Sequence, residues 1–170
     1  MKIKKEIIEL VRKVKIVVFD FDGVFTDNRV LVSEDGKESV FCSRGDGHGI
    51  KLLKETGVDV LVISTEVNPV VGARCKKLNL RCIQGCEKKL EVLLDELKRI
   101  NIKSKEAAYL GNDVNDLECL QAVGLSACVA DATHKILKIC RYKTKACGGF
   151  GAVREFCDFI IEARNNANSR

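Results

Sequence analysis

The stretch Ile16-Val17-Val18-Phe19-Asp20-Phe21-Asp22-Gly23 places four apolar residues directly before two carboxylates and a glycine. A short, uninterrupted apolar run that ends in a turn is typical of a strand buried on both faces, as in a parallel sheet. Gly23 favours a tight turn after that strand. The stretch therefore predicts a buried parallel strand with Asp20 and Asp22 just beyond its carboxyl end.

On the C-terminal side of this strand, apolar runs alternate with segments of helical periodicity. Strands are predicted at 58–63, 81–83, 107–110 and 125–129, and helices at about 49–56, 69–78, 87–99, 115–123, 133–139 and 151–164. Strands separated by helices of roughly ten to fifteen residues form right-handed βαβ crossovers. The pattern predicts an α/β fold with a doubly wound, Rossmann-like parallel sheet.

Residues 28–41 interrupt this alternation. Apolar and polar side chains alternate there around Asp35-Gly36, and an Asp-Gly pair supplies the positive φ of a short turn, so a β-hairpin is predicted. The chain of 170 residues suits one domain, predicted over 1–164 and followed by a frayed polar tail at 165–170. This length leaves no room for a cap domain.

The composition excludes several classes of partner. The 29 Lys and Arg against 24 Asp and Glu are not concentrated in a stripe with aromatic residues, so no nucleic-acid partner is predicted. No apolar run approaches ~20 residues, so no membrane partner is predicted. Nine cysteines without a C-x-x-C pair indicate neither a disulfide framework nor a zinc site. We interpret them as reduced core thiols of a cytoplasmic protein.

Polar residues follow several of the predicted strands. They are Asp20 and Asp22 after the first strand, Ser64-Thr65-Glu66 after the second, and Gly111-Asn112-Asp113 with Asn115-Asp116 after a later one. In open parallel sheets, ligands bind beyond the carboxyl ends of the strands. These residues are therefore expected to meet in one site.

The residue types in this cluster suit phosphoryl chemistry with a hard cation. Mg²⁺ prefers oxygen ligands, and Asp20, Asp22 and the Asn112-Asp113 turn supply them. When a metal neutralises a phosphoryl group, one carboxylate can attack phosphorus while the other donates a proton to the leaving oxygen. The pair then needs opposite protonation states, with Asp20 ionised and Asp22 protonated.

The segment Asp20-Phe21-Asp22-Gly23-Val24-Phe25-Thr26-Asp27 resembles the first motif of haloacid dehalogenase (HAD) superfamily phosphatases. The later motifs of that superfamily follow in order at Ser64, Lys89 and 111–116. Three further stretches, 44–50, 129–132 and 148–155, are similar to its small capless branch. That branch contains 3-deoxy-manno-octulosonate 8-phosphate phosphatase, nonulosonate 9-phosphate phosphatases and the C-terminal domain of acylneuraminate cytidylyltransferases. The resemblance covers about residues 14–160.

This resemblance implies an Mg²⁺-dependent phosphatase acting on the phosphate monoester of a 2-keto-3-deoxy sugar acid. It implies that Asp20 is the nucleophile that forms an aspartyl-phosphate, and that Asp22 is the general acid and then the base. Ser64 or Thr65, together with Lys89, is expected to bind the phosphate. Without the family motif, Lys88 is as good a candidate as Lys89.

The resemblance also implies the remaining site residues and the assembly. Asp20 and Asp22 are expected to hold the metal with Asn112, Asp113 or both, and Asp116 either coordinates the metal or braces its loop. Arg44 and Glu66 are candidate substrate contacts. A homotetramer is expected, in which the hairpin of one subunit borders the active site of its neighbour and replaces a cap.

Three departures from the family pattern bear on activity. The acidic motif has Asn112 where the octulosonate phosphatases usually have Asp, so weaker Mg²⁺ binding is expected. Ser64-Thr65-Glu66 is similar to the sialic-acid-related group, which favours a nine-carbon acid as substrate. Phe150 replaces an arginine that is common in the glycine-rich tail. The alternative hypothesis is a weakly active or inactive oligomerisation module.

Overall fold

The computed structural model describes residues 5–168, with side chains described as far as residue 165. The helices are α1 (Lys5–Lys13), α2 (Arg44–Glu55), α3 (Pro69–Lys77), α4 (Lys89–Arg99), α5 (Leu117–Ala122), α6 (His134–Ile139) and α7 (Ala152–Asn168), with 3-10 turns at Ser104–Glu106 and Val114–Asp116. The strands are β1 (Ile16–Phe19), β2 (Leu31–Val32), β3 (Glu38–Ser39), β4 (Asp59–Ile63), β5 (Arg81–Ile83), β6 (Ala107–Gly111), β7 (Leu125–Cys128) and β8 (Tyr142–Lys143).

The main sheet has six strands in the order β5-β4-β1-β6-β7-β8. All of its pairings are parallel, and Phe19 at the end of β1 lies opposite Val62 of β4 and Leu110 of β6. The chain order reverses between β1 and β6, which is the topological switch point of a doubly wound sheet. The predicted α/β fold is confirmed.

Strand β1 lies in the middle of the core because both of its faces are covered by other elements. All four of its residues are fully buried. The ring of Phe19 packs edge-on against Phe25 at 5.6 Å and Phe156 at 6.4 Å between centroids. Burying one such side chain stabilises a fold by roughly 1.5–3 kcal/mol. This packing fixes the point at which Asp20 leaves the sheet.

The predicted hairpin is present as the antiparallel pair β2 and β3, with Leu31 opposite Ser39. Gly36 in its turn has φ +79°, as the Asp-Gly pattern predicted. Between β1 and α2 the structure holds this hairpin and no separate cap domain. Most of its apolar side chains face outward, with Leu31 64% and Phe41 75% exposed, while Val40 packs against the core. A two-stranded hairpin alone cannot bury such residues.

Four features differ from the prediction. Helix α1 and the two-residue strand β8 were not predicted. Helix α2 begins at Arg44 rather than near Gly49, because Ser43 caps it by accepting a hydrogen bond from the Gly45 amide. Helix α7 continues to Asn168, four residues past its predicted end at Arg164 and into the stretch predicted as a frayed tail. Residues 169–170 of that tail lie outside the described residues.

All nine cysteines are free. Five of them are buried, namely Cys75, Cys119, Cys128, Cys140 and Cys157, and four are partly exposed. Most of these thiols therefore pack as small apolar groups. None of the helices in residues 5–168 is long and apolar enough to span a bilayer.

Candidate active site

A cavity of about 280 Å³ opens at the carboxyl edge of the sheet, beside the switch point between β1 and β6. It is lined by Asp20, Asp22, Asn28, Ser64, Thr65, Asn112, Asp113, Val114 and Asn115. The structure thus brings together polar residues that follow three adjacent parallel strands, β1, β4 and β6. This is where ligands bind in doubly wound sheets.

A buried lysine links two carboxylates beside the cavity. Lys89, the first residue of α4, places its Nζ 2.7 Å from Asp20 Oδ1 and 2.8 Å from Asp116 Oδ1. All three side chains are at most 5% exposed. The neighbouring Lys88 side chain is 75% exposed and pairs with Glu91 instead. Of the two candidate lysines, Lys89 is therefore the one that reaches Asp20.

Asp116 is surrounded by hydrogen-bond donors. Its Oδ1 accepts from Lys89 and from the Tyr109 hydroxyl, each at 2.8 Å. Its Oδ2 accepts from the backbone amides of Asn112 at 3.0 Å and Asp113 at 3.4 Å. The carboxylate is fully buried and is not among the residues that line the cavity. These contacts hold the Asn112-Asp113 turn in place.

Two further residues shape this network: Tyr109, which was not predicted, and Gly111, which was predicted only as part of the motif 111–116. Tyr109 on β6 is fully buried, and a buried tyrosine hydroxyl usually finds a polar partner, which here is Asp116. A Cβ at Gly111 would lie 2.7 Å from the Asp116 Cγ, so only glycine lets that carboxylate approach the strand. For Tyr109, the available sequence signal was a lone tyrosine in the apolar run 107–110.

Asn112 carries an unpaired buried oxygen. Its side-chain Oδ1 has no hydrogen-bond partner in the structure, although buried polar atoms are nearly always paired. The side chain lies against Gly23, where a Cβ would be 2.7 Å from its Cγ. The neighbouring Asp113 instead accepts a hydrogen bond from the Val114 amide at 2.6 Å. Asn112 is thus the residue of the turn that has a buried, unpaired oxygen available to a ligand.

The donor set fits a hard cation. When both are ionised, Asp20 and Asp116 carry two negative charges against the single charge of Lys89, which leaves an excess negative charge beside the unpaired oxygen of Asn112. In the described part of the chain, no three His, Cys, Asp or Glu side chains form a metal-binding group. A cation here would therefore also need amide, backbone or water oxygens, which is how Mg²⁺ is usually held.

The two site aspartates are both easier to protonate than an ordinary carboxyl. Burial, with a contribution from Asp116, raises the pKa of Asp20 to about 7, while Lys89 opposes the shift. Burial and then the charge of Glu66 raise the pKa of Asp22. Burial disfavours the charged form of Lys89, but the two carboxylates outweigh it and its pKa is raised. A cation beside Asp20 would favour its ionised form.

The hydroxyl segment after β4 lies at the cavity as predicted. Ser64 is 1% exposed, and its Oγ accepts a hydrogen bond from the Glu66 amide at 3.1 Å, so it caps the turn as well as lining the cavity. Thr65 is exposed and also lines the cavity. The Glu66 carboxylate accepts hydrogen bonds from the amides of Val67 and Asn68. Glu66 therefore stabilises the turn that precedes α3, and its charge contributes to the raised pKa of Asp22.

Arg44 lies elsewhere. It is exposed at the start of α2 and lines a separate cavity of about 660 Å³ between α2 and α3. The other basic residues of that cavity are His48, Lys51, Lys54, Arg74 and Lys77. Within one chain, the structure does not bring Arg44 to the carboxylates of the site.

Known proteins are similar to this chain over most of its length. A family model described as haloacid dehalogenase-like hydrolase matches residues 79–149. The 3-deoxy-D-manno-octulosonate 8-phosphate phosphatase KdsC of Escherichia coli (strain K12) is 31% identical over 163 residues, which is 95% of this chain and 87% of that protein. The crystal structure of the Moraxella catarrhalis 3-deoxy-D-manno-octulosonate 8-phosphate phosphatase, in complex with magnesium, phosphate and KDO, has a TM-score of 0.91 at 30% identity. It covers 96% of this chain and 95% of its own.

A relative of a different activity is also similar. The N-acylneuraminate cytidylyltransferase of Oncorhynchus mykiss is 33% identical over 163 residues, and the match spans 92% of this chain but 37% of that protein.

The doubly wound sheet and its strand-end aspartates define a hydrolase of the HAD superfamily. Within the superfamily, the chain belongs to the KdsC-like family of capless sugar-phosphate phosphatases.

Proposed function

We propose that this enzyme hydrolyses the phosphate monoester of a 2-keto-3-deoxy sugar acid of eight or nine carbons, using Mg²⁺. The observation that carries the proposal is the buried ion pair between Lys89 and Asp20 beside a cavity that also holds Asp22, Ser64 and Asn112. The magnesium, phosphate and KDO named in the Moraxella complex support the substrate class. The free thiols support a reducing compartment, and we place the enzyme in the cytoplasm.

The reaction proceeds in two steps at the strand-end aspartates. An oxygen of Asp20 attacks phosphorus, and the bond from phosphorus to the sugar oxygen breaks as Asp22 donates its proton to that oxygen. Asp22 is then ionised and takes a proton from water, whose oxygen attacks the phosphorus of the aspartyl-phosphate. Phosphate leaves and Asp20 is regenerated. Lys89, Ser64 and Thr65 hold the phosphoryl oxygens.

The oxygens of the site divide between the metal and the loop that supports it. We assign the metal to the Asp20 carboxylate, the Asp22 backbone carbonyl and the Asn112 amide oxygen, with Asp113 as the alternative ligand. Bound Mg²⁺ would neutralise charge on the phosphoryl group. Asp116 is assigned the bracing role, because donors already occupy both of its oxygens.

Replacing Asn112 with Asp tests this metal assignment. The change adds a carboxylate where the unpaired oxygen lies. The Mg²⁺ concentration that gives half of the maximal rise in unfolding temperature should therefore fall about tenfold. Without Mg²⁺ the variant should unfold at a lower temperature than the wild type, since it buries a further negative charge. Thermal unfolding across a Mg²⁺ titration measures both effects.

The control for this variant is Asn101→Asp, an exposed position after α4. It should leave the Mg²⁺ dependence unchanged. An unchanged dependence in Asn112→Asp as well would assign the ligand to Asp113.

We propose that the enzyme is a homotetramer in which the hairpin completes the neighbouring active site. The outward-facing Val30, Leu31, Val32 and Phe41 support this assembly, because contiguous exposed apolar residues usually mark a protein contact. The hairpin is anchored beside the site, where Asn68 Nδ2 donates to Glu38 Oε2 at 3.0 Å. Sedimentation should give the mass of four chains, and full activity of a monomer upon dilution would contradict the proposal.

A panel of keto-acid phosphates tests the function as a whole. Turnover of eight-carbon 8-phosphates and nine-carbon 9-phosphates is measured with Mg²⁺ and with a chelator. Turnover that requires Mg²⁺ supports the proposal, and the better ester identifies the substrate. The second candidate, an oligomerisation module, is favoured by the match to part of a cytidylyltransferase. The absence of turnover on every member would support that module.

A further inference from the structure

Thr26 is a fully buried residue in the loop that carries Asp22. Its Oγ1 lies 3.0 Å from the Gly23 amide nitrogen, 3.2 Å from the Asn28 amide nitrogen and 3.4 Å from Asp22 Oδ1. The hydroxyl therefore sits at the centre of the turn that follows β1. The proposed reaction does not involve this hydroxyl.

The chemistry of a hydroxyl determines where its hydrogen goes. A threonine hydroxyl has two acceptor lone pairs and one hydrogen to donate. The amides of Gly23 and Asn28 can only donate, so they occupy both lone pairs of Thr26. Asp22 Oδ1 is the acceptor that receives the remaining hydrogen. A distance of 3.4 Å is long for this bond, and catalytic hydrogen bonds often are long until substrate binds.

The glycine-rich tail holds this loop in place. A Cβ at Gly148 would stand 2.5 Å from the Gly23 carbonyl carbon, so glycine alone fits against the loop. The Gly149 amide donates to the Val24 carbonyl at 3.1 Å. The Gly148 amide donates to Asp131 Oδ1 at 2.9 Å, which anchors the tail on the far side. The stretches 129–132 and 148–155 thus form a backbone support for the Asp22 loop.

We propose that Thr26 is a positioning residue for the acid–base step. Its hydroxyl engages Oδ1 of Asp22, which leaves Oδ2 as the oxygen that gives the proton to the leaving group and later receives one from water. The inference rests on the proposed role of Asp22. It adds a residue that directs this carboxyl without touching the substrate.

Thr26→Val tests the inference, because it removes the hydroxyl and keeps the shape. An alkyl leaving group needs the proton of Asp22, whereas p-nitrophenolate leaves without one. With a sugar-acid or simple alkyl phosphate, kcat should fall about 100-fold with KM within about twofold. With p-nitrophenyl phosphate, p-nitrophenolate release in a single turnover should slow by less than about threefold, because this release precedes the water step in which Asp22 acts as base. Thr26→Ser, which keeps the hydroxyl, should restore turnover of the alkyl ester.

An equal loss on the alkyl ester and on single-turnover release of p-nitrophenolate would overturn the inference, and so would failure of Thr26→Ser to restore turnover. In an Asp22→Asn background, adding Thr26→Val should cause no further loss on the alkyl ester, and a further loss would also contradict it. Unfolding temperatures of all variants report any structural damage. Turnover of both esters by Asp20→Asn would instead refute the proposed function, whatever Thr26 does.

A structural measurement covers the case in which Thr26→Val does not fold. A crystal structure of the wild-type enzyme with Mg²⁺ and a phosphate analogue should show Thr26 Oγ1 within about 2.5–3.0 Å of Asp22 Oδ1. Separation of the two atoms beyond hydrogen-bond distance in that complex would overturn the inference.

Discussion

Asp20→Asn is expected to lower kcat on any sugar-acid phosphate by about 10⁴-fold or more, as loss of a nucleophile usually does. An amide oxygen is a poor nucleophile, so no acyl-phosphate forms and the water step has no substrate. The fold should survive, because Lys89 keeps its partner Asp116 at 2.8 Å and one cation then faces one anion. Steady-state turnover with Mg²⁺ measures the loss.

Two measurements make the result for Asp20→Asn decisive. Mass spectrometry of the acid-quenched wild type should detect a phosphorylated chain, and the variant should show none. Asp95→Asn, at an exposed position of α4, is the matched control and should turn over normally. Full turnover by Asp20→Asn would refute the nucleophile assignment. The intact mass of the variant must show that the introduced amide has not deamidated back to Asp.

The parts of the fold that the sequence predicts best are those decided by local pattern. The run Ile16–Phe19 is continuous and apolar because the strand is covered on both faces, and its burial follows directly. The end of that strand then predicts the position of Asp20. The two-residue strand β8 is too short to form a pattern, and the glycines at the start of α2 weaken its helical signal.

The parts of the site that the sequence leaves open depend on contacts between distant residues. Lys88 and Lys89 are adjacent and chemically identical, and only the orientation of α4 sends Lys89 inward. From the sequence, coordination and bracing are equal possibilities for Asp116, and the four donors that favour the proposed bracing role are visible only in the structure. Residue type alone likewise does not show that the Asn112 oxygen is unpaired.

Lys89→Met is expected to damage both stability and turnover, for one electrostatic reason. The Lys89 side chain is 1% exposed, and its ammonium lies between Asp20 and Asp116. Methionine has a similar volume but no charge, so the two buried carboxylates would face each other without a cation. Removing one member of a buried ion network typically costs about 3–5 kcal/mol. The free energy of unfolding in urea should fall by that amount at neutral pH, and kcat should fall because the phosphoryl oxygens lose their cation.

The loss should depend on pH in a definite direction. Burial raises the pKa of Asp20 above its ordinary value of 3.8, and the pKa should rise further when Lys89, which lowers it, is removed. Below pH 3.8 this carboxyl is protonated in both the folded and the unfolded state, so its raised pKa does not lower the free energy of unfolding. Its cost grows as pH rises above that value, but equally in both proteins until pH reaches the wild-type pKa of about 7. The part of the Lys89→Met deficit that comes from Asp20 should therefore be small near pH 4 and should grow as pH rises above about 7.

Lys88→Met is the matched control, because it removes the adjacent charge from an exposed side chain that pairs only with Glu91. Exposed ion pairs contribute about 0–1 kcal/mol, so this variant should unfold and turn over nearly as the wild type does. If Lys89→Met matched Lys88→Met in stability across this pH range, the buried ion pair would not organise the site.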